Sequence, residues 1–523
     1  MKTVISIFVV SLILFTVGIQ SQEVIGFDSR FYLFAQEMLR NGLSWFPTTY
    51  NQPYPDYPAT GTIIIYFFAH AVGGLSKWVA VLPTAIIGAL TVVITYLIGR
   101  LRSKELGLYA VFLLILTIGF FKASRAISLD MYPTLITALC FYLIYSADLK
   151  NKPTRVWWLF PLFFAGFLFR GPIGLVVPAG VVSIYYLIDR RFKTFFIIGV
   201  CAFILLILSI ALLLAAAFHT GGESFMQAVI RMEMLGRMGA SKLPWFFYFK
   251  DSVGSYALTY PLAILTMVGV GYVSLKEKTL IDKSLLLKLT GWVLIILVGL
   301  SIPGDKKVRY VLPMVPALAL LAAYPLAEMH GQLYFSRLRS IMLMLFRYFP
   351  ALLFILVEVI YFETYQCHYA FAIPYVFLLA LFFILQIASM WFYNRPFFIL
   401  AIAAFSFAIA EIKVLEPIEN YLEKAHDFVV AVENERTNAH ATLVFYKEHP
   451  DSMPIKYLIN MPQWQKPIFI DQPEKLVRFN QPAFFVTSSE YFMHIPKNVL
   501  TTLKIVATEK MAHVNVVVFT KIK

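Results

Sequence analysis

Two carboxylates and a scattered set of cations are the residues of this chain whose types and spacing could do chemistry. Asp28 opens the stretch Asp28-Ser29-Arg30-Phe31-Tyr32. Tyr32 lies four positions further on, so on a helix the two side chains share a face that Gln36 continues. Asp130 closes Lys122-Ala-Ser-Arg125-Ala-Ile-Ser-Leu-Asp130. Cations follow at Arg170 before Gly171-Pro172, at Arg231 and Arg237, and at Lys306, Lys307 and Arg309 in the run that ends at Tyr310. A carboxylate at a membrane boundary is placed to act as a partly desolvated base. Fixed cations can stabilise an anion whose charge grows during a reaction. The plainer alternative is that both acids are ordinary helix N-caps and the cations ordinary surface charge.

The elements that position these groups must be membrane helices. Of 523 residues, 59% are hydrophobic and only 14% charged, which is too much apolar surface for a water-soluble fold. The spacing predicts a polytopic α-helical membrane protein with about thirteen transmembrane helices: Val4 to Ile19, then 79–99, 106–122, 131–147, 156–169, 171–188, 194–217, 255–274, 285–302, 308–327, 340–361, 371–392 and 397–412. The first reads as a signal anchor rather than a cleaved leader, because the run is long and Ile19-Gln20-Ser21 is a poor cleavage site. Clusters such as Arg100/Arg102/Lys104, Arg190/Arg191/Lys193 and Arg337/Arg339 then fall on cytoplasmic loops, and the acids and unexplained cations fall on the other side. Within the first outer loop, 21–78, the stretch Thr62 to Leu75 reads as an interfacial helix.

From residue 413 the composition becomes that of a soluble domain, predicted as a small C-terminal α/β unit on the periplasmic side. Strands are expected at Ala441–Glu448, Lys466–Asp471, Ala483–Ser489, Leu503–Glu509 and Val514–Ile522, with helices near 417–436 and 452–460. The net charge of +14 does not point to nucleic acid, since the basic residues are dispersed over short loops; the lipid bilayer is their partner. Cys140 and Cys201 lie in apolar segments and Cys367 stands alone, so no disulfide or zinc framework is expected.

The order of these motifs resembles the class C glycosyltransferases of the polyprenyl-phosphate type. It is most similar to the bacterial 4-amino-4-deoxy-L-arabinose lipid A transferases and more distantly to the protein O-mannosyltransferases. The resemblance is carried by the loop Asp28 to Tyr32, by Tyr54-Pro-Asp56-Tyr57-Pro58, by Ser124-Arg125 to Asp130, by Phe169-Arg-Gly-Pro172, by the loop from Arg231 to Tyr248, and by Lys307-Val-Arg-Tyr310. This chain departs from the arabinose transferases at Tyr57, where they carry a lysine, at Arg170, where they also carry a lysine, and near Ser241, where they carry a histidine.

The resemblance implies sugar transfer from an undecaprenyl-phosphate carrier to lipid A or another envelope glycan, or alternatively to a protein as in the protein O-mannosyltransferases, by an inverting route at the periplasmic face of the inner membrane. In that picture Asp28 and Asp130 are catalytic, and Arg170, Lys307, Arg309 and Arg231 hold the donor phosphate. Arg30, Tyr32, Asp56, Tyr57, Arg125 and Tyr310 bind substrate. A divalent metal is compatible with the reaction, but no ligand set in the sequence supports one. The reading from another class is a secondary transporter, which would place its ionisable groups near the bilayer midplane.

Overall fold

Apolar runs in lipid must close their backbone hydrogen bonds internally, and the chain does so as helices. The computed structural model describes residues 1–22, 24, 28–236, 239, 243–276, 282–327, 332–363, 374–422, 424–511 and 514–522. Cys367, Arg237 and Ser241 lie outside them. Eight described helices are long and apolar enough to cross a bilayer, or ten if each of two bent pairs is counted as one span. α1 (Lys2–Thr16) packs against α4 (Lys77–Arg100) and buries Phe15.

Several expected spans are bent. The 106–122 span divides into α5 (Lys104–Ile115) and α6 (Ile118–Ser124), which meet at 75°. The 340–361 span bends by 43° between Leu333–Arg347 and the helix that starts at Phe349. The expected pair 156–169 and 171–188 forms α8 (Leu159–Ile188), broken where Arg170 has φ −141° and Gly171 has φ +56°. That break is a reversal. Gly166 and Gly174 touch backbone to backbone, so a Cβ on either would overlap the other's carbonyl. In a straight helix they would stand about 12 Å apart. After α7 (Met131–Leu149) and α8 comes α9 (Phe192–Ile230), interrupted in the same way at Gly221 and Gly222. Phe196, Val200, Phe203 and Ile207 project from α9 unburied by protein, as a lipid-facing helix requires.

Two helices belong to the first loop. α2 (Asp28–Asn41) is amphipathic, and α3 (Thr60–Val72), at 13 residues, is about 20 Å long and too short to span. Between them β1 (Thr48–Thr49) and β2 (Gln52–Pro53) pair across a turn at Tyr50 and Asn51, both at positive φ. Glu37 secures that turn by accepting the backbone N–H groups of Tyr50 (2.6 Å) and Asn51 (3.2 Å).

The last span does not end in a loop at residue 413. Pro396–Ala410 continues through a π-helical turn, Glu411–Leu415, into Glu416–Leu422. Beyond lies a five-stranded sheet of β3 (Thr442–Tyr446), β4 (Ile468–Ile470), β5 (Ala483–Ser488), β6 (Leu503–Met511) and β7 (Val514–Lys521), ordered β4-β3-β5-β7-β6. β3 is parallel to β4 and β5, while β7 runs antiparallel to β5 and β6. Alternation sorts the side chains. Leu443, Phe445, Val486 and Val518 face one core, and Val444, Tyr446, Phe485 and Phe519 face the other. Leu33 of α2 is buried in the first of these cores, so the first loop is packed into the tail.

Candidate active site

The geometry is built from the ends of four elements. α2 begins at Asp28, whose carboxylate is hydrogen-bonded by the ammonium of Lys77 at the head of α4. Ser76 starts α4 by accepting the N–H of Val79 at 3.3 Å, which fixes the neighbouring lysine. Both members of the ion pair are buried, at 7% and 9% exposure. Tyr32 lies one turn along α2 and its hydroxyl is 3.5 Å from the Leu75 carbonyl, so the face it shares with Asp28 turns toward residues 75–77. Burial pushes the Tyr32 phenol up from its ordinary pKa.

Asp130 occupies the N-cap position of α7, yet its side chain makes no capping bond. It accepts instead from Arg170, at 2.7 Å from Nε and 3.4 Å from the second guanidinium nitrogen, and lies 3.3 Å from Nε of Arg309. The capping alternative therefore does not describe Asp130. The helix break puts Arg170 there. Gly171 can adopt its positive φ and lets the ring of Tyr57 lie directly against it, a space any Cβ would fill. The Arg170 guanidinium sits 5.5 Å from the Tyr57 ring and 5.3 Å from that of Tyr310, and Arg309 is 5.6 Å from Tyr310. Tyr310 donates to Asp305 at 2.9 Å, Lys307 lies 3.7 Å from the same carboxylate, and Asp56 accepts the N–H of Tyr57 at 2.8 Å.

Asp130, Arg170, Arg309, Tyr310, Tyr57, Asp56 and Lys307 thus gather in one cluster, joined to α2 by two small clefts, each lined by Phe31 and Leu129. An open cavity of about 640 Å³ adjoins it through Val308, walled by Ile118, Lys122, Lys250, Asp251 and Ser255.

Other residues read from sequence go elsewhere. Arg125 is a buried tether that donates to Glu416 at 2.6 and 2.7 Å and to the carbonyls of Leu14 (2.6 Å) and Val17 (2.8 Å). Its donors are committed to protein, so a substrate-binding role for it has no geometric support. Arg30 reaches the Asp451 carbonyl at 3.2 Å and the Tyr54 ring at 5.4 Å, facing the tail. Arg231 is exposed on a π-helical turn, Arg231–Leu235. Among the described residues no three His, Cys, Asp or Glu side chains converge to hold a metal.

With this geometry the chain superposes on ArnT from Cupriavidus metallidurans bound to undecaprenyl phosphate, over 99% of this chain and 98% of that one, at a TM-score of 0.72 and 16% identity. The apo form of the same protein gives 0.71. The chain has the ArnT fold. Residues 56–214 match the family model for dolichyl-phosphate-mannose-protein mannosyltransferases. An undecaprenyl phosphate-alpha-4-amino-4-deoxy-L-arabinose arabinosyl transferase from Pseudomonas savastanoi pv. phaseolicola is 26% identical over 58% of this chain and 56% of its own length. An uncharacterized protein from Aquifex aeolicus is 28% identical over 46% and 47% respectively. The matched stretch spans about half the length of these curated relatives. The likeness to the class C, polyprenyl-phosphate-dependent enzymes is thus met in sequence as well as in the ArnT fold.

The tail grips the first loop at one turn. Asp451 accepts from the Tyr54 hydroxyl at 3.0 Å while its carbonyl binds Arg30, and the Pro450 carbonyl accepts the Tyr50 hydroxyl at 2.6 Å. Asp451→Ala removes a bond to a charged acceptor worth about 1.5–3 kcal/mol. Amide hydrogen exchange across residues 28–56 should speed up by about ten- to a hundredfold while the strands of the tail keep their protection. Unchanged exchange in the loop would show that the tail does not hold it.

Proposed function

We propose that this chain is a membrane glycosyltransferase that moves a sugar from a polyprenyl phosphate carrier to lipid A or another envelope glycan at the periplasmic face of a bacterial inner membrane. The observation that carries this reading is the cluster in which two guanidiniums share the buried Asp130 carboxylate at one end of the helix bundle. With Lys306 and Lys307 the cations number four against the three acids Asp56, Asp130 and Asp305, so the cluster favours a further anion. A sugar phosphodiester is such an anion, and it gains a second charge as the sugar leaves.

The residues divide the task. Arg170 and Arg309 stabilise the developing phosphate charge more than the ground state, which is what lowers the barrier. Tyr57 and Tyr310 fix the Arg170 plane. Asp28 accepts the proton of an acceptor hydroxyl that attacks C1 from the face opposite the phosphate, giving inversion. The cavity beside Val308 offers a volume within the ordinary range of ligand sites for the acceptor headgroup. The positive loops at the other ends of the spans support the periplasmic assignment. A protein acceptor is the second reading, favoured by the family model matched over 56–214. Transport is disfavoured because Asp28, Lys77 and Asp130 stand at the starts of helices and not midway along them.

The deciding experiment is the mass of lipid A and envelope glycans in cells with and without the chain. The expected result is loss of one glycosyl increment from lipid A. An increment lost from a protein selects the second reading. If no envelope species changes, and the purified chain transfers nothing from polyprenyl-phosphate sugars, the proposal fails.

A further inference from the structure

We propose that Lys77 is a phosphate-binding residue that exchanges Asp28 for the departing lipid phosphate during the reaction, an inference that rests on the glycosyltransferase reading above. Lys77 lies outside every motif that carried that reading. Its ammonium is buried against Asp28, and neither residue is more than a tenth exposed. An ammonium so placed is strongly disfavoured without a negative partner.

The chemistry removes that partner at a defined moment. The acceptor oxygen bonds to C1, the bond from C1 to the phosphate oxygen breaks with its electron pair going to the phosphate, and the hydroxyl proton passes to Asp28. Asp28 becomes neutral as the phosphate becomes a monoester dianion. One negative charge disappears beside Lys77 and one appears on the leaving group. Lys77 keeps its proton and moves its hydrogen bond from the carboxylic acid to the phosphate.

Position allows the exchange. Lys77 and Thr84 lie on one face of α4 about 10 Å apart. The Thr84 hydroxyl accepts the Ser128 N–H at 3.4 Å, two residues before Asp130. α4 therefore carries Lys77 beside the acid of the first loop and, two turns on, touches the segment that leads to Asp130. Lys306, also buried, is held by the carbonyls of Leu243 and Pro244 at 3.3 and 3.4 Å. Tyr57 brings no charge to the first loop.

The test reads binding, not turnover. Purified full-length chain in lipid nanodiscs is titrated with undecaprenyl phosphate lacking sugar. In Asp28→Asn the competing carboxylate charge is gone, so affinity should rise by about tenfold over wild type, and Lys77→Arg on that background should keep the gain. In Asp28→Asn/Lys77→Met the gain should vanish. Equal affinity of Asp28→Asn and the double variant overturns the role of Lys77 and leaves the glycosyltransferase reading standing. Absence of binding by wild type and all variants overturns both. Should Asp28→Asn fail to fold, Lys77→Met against wild type decides. Its inhibition constant for undecaprenyl phosphate during turnover should rise by about tenfold, and an unchanged constant removes the proposal.

Discussion

Asp28→Asn should lower sugar transfer by about a hundredfold or more while the protein is still produced and folded. Asn keeps the size of the side chain and an oxygen that can accept from Lys77, and it is as good an N-cap as Asp. What disappears is the basicity and the negative charge. Since the lost charge faced a buried ammonium, some stability goes with it, on the order of 1–3 kcal/mol. A thermal unfolding scan of the purified variant therefore accompanies the transfer assay with polyprenyl-phosphate sugar. A variant that is folded and retains half the wild-type rate would end the general-base role. One that unfolds leaves the decision to Asp28→Glu, which restores the charge at the cost of one methylene and should recover stability while transfer remains impaired through misplacement.

The second large effect separates two arginines that look equivalent in sequence. Arg309→Ala should reduce turnover by roughly ten- to a thousandfold, the order for losing one charged donor to a developing anion, with little change in folding. Its side chain is 29% exposed, and Asp130 keeps the closer Arg170 at 2.7 Å. Arg170→Ala instead leaves the Asp130 carboxylate, 2% exposed, without its closest cation. That variant should lose a similar factor in rate and also about 3–5 kcal/mol of stability. Turnover of both variants at the wild-type rate would place the phosphate site elsewhere. An Arg170→Ala protein as stable as wild type would show that the pair at the helix break is not structural.

Much of this architecture was legible in the sequence because its signals are local. Runs of about 20 apolar residues mark spans without reference to anything distant, and the five strands of the tail appear within a few residues of their expected bounds. Gly171-Pro172 announced the break in α8 for the same reason. The partners of the charged groups were not legible. Asp28 meets Lys77 at a separation of 49 residues and Arg125 meets Glu416 at 291, and no periodicity links such positions. Lys77 did carry a usable signal. It is a lysine at the end of a span that the loop charges assign to the outer side, against the insertion bias, the criterion that also marks Arg170. Nothing comparable marked Arg125 as a tether, because a motif identifies a position and not the groups that saturate it.

The sheet of the tail bears on how the tail can meet another chain. Its free margins are β4, only three residues long, and β6, which carries exposed Lys504, Glu509 and Lys510 and a bulge between Ile505 and Ala507. Short, charged or kinked margins resist the addition of another strand. An extended polypeptide that docked by lengthening a sheet would find no template here. Whatever this tail meets, it meets through loops and side chains and not by gaining a strand.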